Sequence, residues 1–251
     1  MKFKQLAMAN LAALANNPYP GRVLIVGMDM VGKKLRQVYA LTGRGEGSRN
    51  RVLISGPSGL VSTKAANPSK MKDQDAALRI YPVMREVRGP GGVVYCVVSN
   101  GSQTETVAEG YEENRSMHTS LQNVIYEPDP PISTQRITAS CRWERGKPIL
   151  KMSIERKSPF NDACDHHFHE YNGFRPGFGY CIQTYAGDGD PPPPFFGEPY
   201  LLPLMGDAEW TAALYASLLN RDNFVAIVVK DIPAKGGASK VVILNRYSEV
   251  P

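Results

Sequence analysis

The sequence predicts an α+β protein in which antiparallel sheets pack on one another and helices cover their outer faces. Three observations carry this: roughly ten short runs rich in β-branched and aromatic residues, two long helical patterns set far apart, and no Pro/Gly/Ser-rich stretch long enough to separate domains. At 251 residues and 42% hydrophobic composition the chain can bury a full core. Residues 1–18 are expected to form a helical extension and 19–251 a single domain.

Leu6, Ala7, Ala9, Leu11, Ala12, Ala13 and Leu14 are good helix formers, and Asn16-Asn17-Pro18 stops them. Residues 22–26 and 35–42 alternate or run apolar and read as a strand pair joined by a loop over 27–34. Strands are also expected at 51–55 and 78–87, with the polar stretch 62–75 as a surface loop between them. Residues 93–98 form an almost unbroken β-branched and aromatic run, a buried strand. The first long helix follows from Thr104 to about Ser120, with Val107, Ala108, Tyr111, Met117 and Leu121 on one side. Residues 136–143 and 149–154 return to strand around Arg145-Gly146-Lys147, and 180–185 is another strand, followed by a stiff loop at Pro191-Pro192-Pro193-Pro194. The second long helix spans 208–220, with Trp210, Ala213, Leu214, Ser217 and Leu218 at helical spacing, and strands at 224–229 and 240–244 close the chain.

Net charge is +5 and the pI is near 9.0, but Lys and Arg are spread along the chain without a basic tract. That suits small anionic ligands at least as well as nucleic acid. Cys96, Cys141, Cys164 and Cys181 are far apart with no Cys-x-x-Cys pair, which reads as reduced thiols in a cytoplasmic protein. No apolar run approaches the length of a membrane span, and Met1-Lys2-Phe3-Lys4 is followed by no convincing signal-peptide stretch.

Four segments carry potential chemistry. In Val97-Val98-Ser99-Asn100-Gly101-Ser102-Gln103-Thr104-Glu105-Thr106 a strand hands over to a helix through a polar turn, with Ser102 or Thr104 as its cap. Such a place suits a phosphate or carboxylate, and equally a plain capped helix. Gly27-Met28-Asp29-Met30-Val31-Gly32-Lys33 fits a phosphate-binding P-loop up to Lys34, which stands where Ser or Thr would hold magnesium, so it reads as a hairpin loop. Asp162, Cys164, Asp165, His166, His167, His169 and Glu170 crowd together but match no zinc spacing; they form a metal site, a polar loop or a substrate-facing edge. Three arginines in Arg44-Gly45-Glu46-Gly47-Ser48-Arg49-Asn50-Arg51 can converge on a phosphate, and no aromatic residues interleave them to stack on bases.

Several segments in one order resemble the archaeal-type IMP cyclohydrolases. They are Gly21-Arg22 with Val26-Gly27, Tyr39-Ala40-Leu41-Thr42-Gly43-Arg44 with Ser48-Arg49-Asn50-Arg51, Ile80-Tyr81, Val98-Ser99-Asn100-Gly101-Ser102-Gln103-Thr104, and Tyr126-Glu127-Pro128-Asp129 with Arg136-Ile137. Gly179-Tyr180, Thr184-Tyr185 and Pro194-Phe195-Phe196-Gly197-Glu198-Pro199 are similar to the C-terminal part of longer bacterial members, so the resemblance spans roughly 19–205. It implies the four-layer αββα sandwich of N-terminal nucleophile hydrolases. No Ser, Thr or Cys opens the first core strand at Gly21-Arg22-Val23, so the nucleophile and self-cleavage are not expected.

The implied reaction closes a purine ring in de novo purine synthesis: the carboxamide nitrogen of a formamido-imidazole ribotide attacks its own formyl carbon and water leaves. The resemblance implies no metal or other cofactor. It assigns catalysis to Tyr81, Glu127 and Arg51, and ribotide binding to Arg22, Arg49, Asn50, Ser99, Asn100, Gly101, Ser102, Thr104 and Arg136. An amide or cyclic-amide hydrolase using His166, His167 and His169, and a non-catalytic ribotide-binding protein, are the alternatives. The expected partner is a small purine ribotide rather than nucleic acid or membrane, and several homo-oligomeric states are compatible with the chain. Thr134-Gln135-Arg136-Ile137 departs from the family's Thr-Pro-Arg-Ile, and 162–170 has no placed counterpart.

Overall fold

In the computed structural model, which describes residues 2–71, 76 and 78–247, the strands form two antiparallel sheets. The first sheet contains β1 (Arg22–Met28), β2 (Lys34–Thr42), β10 (Phe178–Gln183), β11 (Tyr200–Pro203), β12 (Phe224–Pro233) and β13 (Lys240–Asn245), in the order β11-β10-β1-β2-β12-β13. The second is a meander of β3 (Arg51–Ser55), β4 (Val61–Ala65), β5 (Pro82–Arg88), β6 (Val94–Ser99), β7 (Arg136–Glu144), β8 (Lys147–Lys157) and β9 (Cys164–Tyr171) in sequence order.

The pleat decides what each strand buries. Leu24, Val26 and Met28 of β1 share a face with Leu35, Tyr39 and Leu41 of β2, and this face meets Leu53, Met84, Cys96, Val98, Ile137, Ala139, Met152 and Ile154 of the other sheet. The opposite face of the first sheet carries Val23, Ile25, Val38, Ala40, Ile227 and Val229. It is covered by α1 (Lys2–Ala15), through Leu11 and Leu14, and by a C-terminal helix, Ala208–Leu218, through Ala208, Ala212 and Tyr215. Besides the short α2 (Glu46–Arg49), two helices lie between β6 and β7: α3 (Gln103–Glu112) and α4 (Met117–Leu121). Their Val107, Ala108, Tyr111, Met117 and Leu121 close over Val87 and Val97 of the second sheet, so the molecule is a four-layer αββα sandwich and Ala208–Leu218 is α5. Among the described residues no helix is long and apolar enough to cross a membrane.

Several elements differ from the sequence expectation. Within 62–75, read as a surface loop, β4 pairs with β3 and buries Val61 and Thr63; a Thr facing inward breaks the apolar alternation that marks a strand. Residues 72–75 of that stretch lie outside the described residues. The strand expected from residue 78 starts at Pro82, because Leu78 and Arg79 are helical. The helix expected over 104–120 is two helices: Asn114 turns left-handed (φ 62°), and Ser116 restarts the chain by accepting the Thr119 N–H on its hydroxyl at 3.0 Å. The histidine-rich segment is β9, an edge strand, whereas the loop after β1 is the expected hairpin, in which the Asp29 carboxylate accepts from the Lys33 and Lys34 amides (2.8 and 3.0 Å).

Glu155 of β8 points to the helix-covered face of the second sheet, cross-strand from Arg136 and His166. It is fully buried, and neither carboxylate oxygen has a hydrogen bond of good geometry. Burial pushes its pKa up to about 8, against the pull of Ser153 and Arg136. Folded and unfolded chains both hold the proton in acid. From its ordinary value of 4.5 upward the unfolded chain loses that proton while the folded one keeps it, so stability falls as pH rises to about 8. Glu155→Gln should therefore flatten the pH dependence of Tm over this window and raise stability at pH 8 by on the order of 4 kcal/mol, measured by urea unfolding.

Candidate active site

At one end of the layer between the sheets the apolar facing residues give way to charge. Arg22 opens β1 and Arg51 opens β3; each precedes by two positions a leucine of the inter-sheet core, Leu24 and Leu53, so the pleat points both guanidinium groups inward. Tyr39 of β2 and Tyr81, just before β5, enter the same end, and their hydroxyls meet at 2.9 Å. Glu127, from the loop between α4 and β7, places Oε1 and Oε2 at 3.4 and 3.5 Å from Arg22 Nη2. All five side chains are buried. Arg51 donates from Nε to the Ser48 carbonyl at 2.9 Å, while Arg51 Nη1 and Arg22 Nε have no hydrogen-bond partner.

The charges in this pocket are mutually felt. Burial lowers the pKa of Arg22, but the Glu127 carboxylate and the hydroxyls of Tyr81, Tyr185 and Tyr39 outweigh it and hold the group firmly charged. Burial also lowers Arg51, and the nearby Arg22 lowers it further. Tyr39 is pushed well up by burial and by Tyr81, against the two arginines. Burial raises Glu127 above the usual carboxylate range, partly opposed by Arg22 and Arg136. Two buried guanidinium groups facing a single carboxylate leave an excess of positive charge, which an anion would neutralise. Tyr19 and Tyr185 stack beside the cluster with centroids 5.3 Å apart, Arg44 lies 4.8 Å over the Tyr19 ring, and the Tyr185 hydroxyl meets Thr134 Oγ1 at 2.7 Å.

The sequence-predicted residues fall into two groups. Arg22, Arg51, Tyr81 and Glu127 converge. The turn at 99–104 reaches them only through the backbone of β7: Asn100 Oδ1 accepts from Ile137 N and Gln103 Nε2 (2.8 and 2.9 Å), and its Nδ2 donates to the Gln135 carbonyl (2.9 Å). Gln135 in turn donates to the Gln183 carbonyl at 2.9 Å. The Ser99 hydroxyl is shared with the Thr104 hydroxyl and the Gly101 carbonyl. α3 starts at Gln103, so Ser102 occupies the N-cap position that the pattern suggests but makes no side-chain capping hydrogen bond, and Thr104 lies inside the helix. Gly101 lets the ends of the Arg136 and Gln103 side chains lie close against the turn, and a Cβ there would have to displace them. Arg136 lies on the helix side of its sheet, donating to Gln103 Oε1 (2.8 Å) and the Ile125 carbonyl (3.1 Å). Arg49 donates to the Gly43 carbonyl (3.1 Å), and Asn50 ties its corner to Asn67 through two hydrogen bonds of 2.7 and 2.8 Å.

His166, His167 and His169 do not act together, because strand alternation separates them. His166 faces the helices, with Nε2 at 2.8 Å from the Val124 carbonyl, while His167 and His169 pair with Ile154 and Met152 of the inner face. Among the described residues no three His, Cys, Asp or Glu side chains come together where they could hold a metal ion. Tyr39, Tyr19 and Tyr185 are members of the cluster that the sequence pattern does not single out. A tyrosine inside an apolar alternation, as in Gln37-Val38-Tyr39-Ala40-Leu41, looks like core.

Residues 19–236 match the family model for IMP cyclohydrolase-like protein. No curated protein and no solved structure matches the chain. Since Asn100 is fully buried and three hydrogen bonds converge on it, Asn100→Ala should destabilise the protein by about 3 kcal/mol, read as a lower urea midpoint at unchanged slope.

Proposed function

The chain belongs to the IMP cyclohydrolase-like family, and from that membership we propose that it closes the purine ring of a formamido-imidazole-carboxamide ribotide to give IMP, in de novo purine synthesis. The observation that carries this reading is the buried convergence of Arg22, Arg51, Tyr39, Tyr81 and Glu127. In the reaction the carboxamide nitrogen loses a proton and forms a C–N bond to the formyl carbon, the formyl oxygen takes up negative charge and then two protons, one from that nitrogen and one from the formamide N–H, and it leaves as water as the C=N bond of the ring forms. Both reacting groups belong to one molecule, so holding the productive rotamer supplies much of the acceleration, up to roughly 7 to 11 kcal/mol in favourable cases.

The remaining tasks suit the side chains in the cluster. Arg51, whose Nη1 is buried without a partner, stabilises the developing oxyanion. Glu127 accepts the carboxamide proton; burial raises its pKa and makes it a stronger base, and Arg22 orients it. Tyr81 delivers a proton to the departing hydroxyl, and the hydroxyl of Tyr39 beside it positions Tyr81. Arg49 and the outward side of the 99–104 turn at Ser102 meet the phosphate. Asn100, Gly101, Ser99, Thr104, Asn50 and Arg136 act behind them by fixing the backbone that presents these groups.

Purified protein incubated with the formamido ribotide should generate purine absorbance well above the spontaneous rate. Binding of IMP without any turnover would overturn the catalytic reading in favour of a ribotide-binding protein. Tyr81→Phe should lower kcat by about 100-fold with little change in KM, whereas Arg51→Ala should lower kcat and raise KM. Activity should rise with pH through the raised pKa of Glu127, because the ionised form is the base, and Glu127→Gln should remove that limb of the profile.

A further inference from the structure

The far end of the inter-sheet layer holds a feature that the proposed reaction does not use. A cleft of about 630 Å³ opens there, between the starts of β2 and β6 and the ends of β7 and β12. Its apolar walls are Leu35 and Ile232 of one sheet and Val94 and Trp143 of the other. Two of its lining residues, Glu86 and Gly59, hold the fully buried ammonium group of Lys230, which lies 2.6 Å from Glu86 Oε1 and donates to the Gly59 carbonyl at 2.7 Å. A Cβ at Gly59 would collide with both of these side chains, so glycine is what lets the loop close onto the pair. Gln37, cross-strand from Lys230, and Tyr39 beyond it separate this cleft from the arginine–tyrosine cluster.

The chemistry of the lining points to a ligand. Lys230 and Glu86 neutralise each other, and Arg142 is paired with Glu144 at 2.8 Å. Arg88 is different: it is exposed at the cleft, and among the described residues none forms an ion pair or a side-chain hydrogen bond with its guanidinium. The cleft therefore has one uncompensated positive charge at its mouth. Trp143 Nε1 and Ser239 Oγ, both on lining residues, are withdrawn from solvent without hydrogen-bond partners. Gly92, Gly236 and Gly237 border the cleft, and a Cβ on any of them would meet nothing within 4 Å, so the rim is unobstructed. The volume lies in the range of small-molecule sites.

We propose that this cleft is a second ligand site that takes a small flat organic anion, with its ring between Leu35 and Ile232 on one side and Val94 and Trp143 on the other, and its phosphate or carboxylate on Arg88. Trp143 and Trp210 are the only two tryptophans in the sequence, so in a Trp210→Phe background the indole of Trp143 reports on the cleft alone. Titration with phenyl phosphate and, separately, with benzoate should give a saturable change in its emission for at least one of them. A response to phenyl phosphate alone identifies phosphate esters as the class, and a response to benzoate alone identifies carboxylates. Arg88→Ala should weaken binding tenfold or more and Arg88→Lys should restore part of it; Glu127→Gln, at the other end of the layer, should leave it unchanged. No saturable change with either probe up to about 10 mM, or equal affinity in Arg88→Ala, would overturn the proposal.

Discussion

The packing of one antiparallel sheet on the other is the constraint on which the rest of the molecule depends. Strand alternation sends every second side chain into the layer between the sheets, and the middle of that layer is filled by leucine, valine, isoleucine and methionine. Each such side chain contributes about 1.5–3 kcal/mol by burial. That surplus allows two arginines, a glutamate and two tyrosines to be held out of water at one end, where an isolated buried ion would cost several kcal/mol. The position of the site follows from strand phase. Arg22 and Arg51 face inward because Leu24 and Leu53 do, and shifting either strand by one residue would turn its arginine to the opposite face.

The residues that brace this end of the layer are not the ones that converge in it. The segment at 99–104 spends its polar side chains internally: Asn100 locks the end of β6 to β7, and the pair of Ser99 and Thr104 closes the start of α3. Through Gln135 and Thr134 this lock extends to the loop bearing Glu127, whose N–H donates to the Thr134 carbonyl at 2.8 Å. A polar turn rich in hydrogen-bonding groups thus serves as a brace. The groups left with unused hydrogen-bonding capacity, such as Arg51 Nη1 and Arg22 Nε, belong instead to the first residues of β3 and β1.

Much of the architecture was legible in the chain, most plainly where β-branched runs made single-phase strands, as in β1, β2, β6 and β12. Legibility failed where side-chain chemistry disguised phase. β4 carries Ser62, Thr63 and Lys64 and looks like a loop, yet it pairs with β3 over its whole length. The histidines of β9 look like one ligand cluster, but a period of two puts His166 on one face and His167 and His169 on the other. Of the side chains that converge at one end of the layer, Arg22, Arg51, Tyr81 and Glu127 were named from motif order, whereas Tyr39 and Tyr185 were hidden because a tyrosine at a core position has the same pattern whether its hydroxyl is hydrogen-bonded or not.

By itself the sequence determined the class of fold, the family to which the chain belongs, and the identity of the charged groups available for chemistry, because periodicity and motif order are local and survive in one dimension. The tertiary structure decided which of those groups meet. Arg22 and Glu127 are 105 residues apart, and Tyr39 and Tyr81 are 42 apart, so no local pattern records their contact. It also decided their protonation: the Glu127 carboxyl is raised, and Arg51 lowered, chiefly by removal from water. Desolvation is a property of the assembled layers, and no residue carries it in isolation.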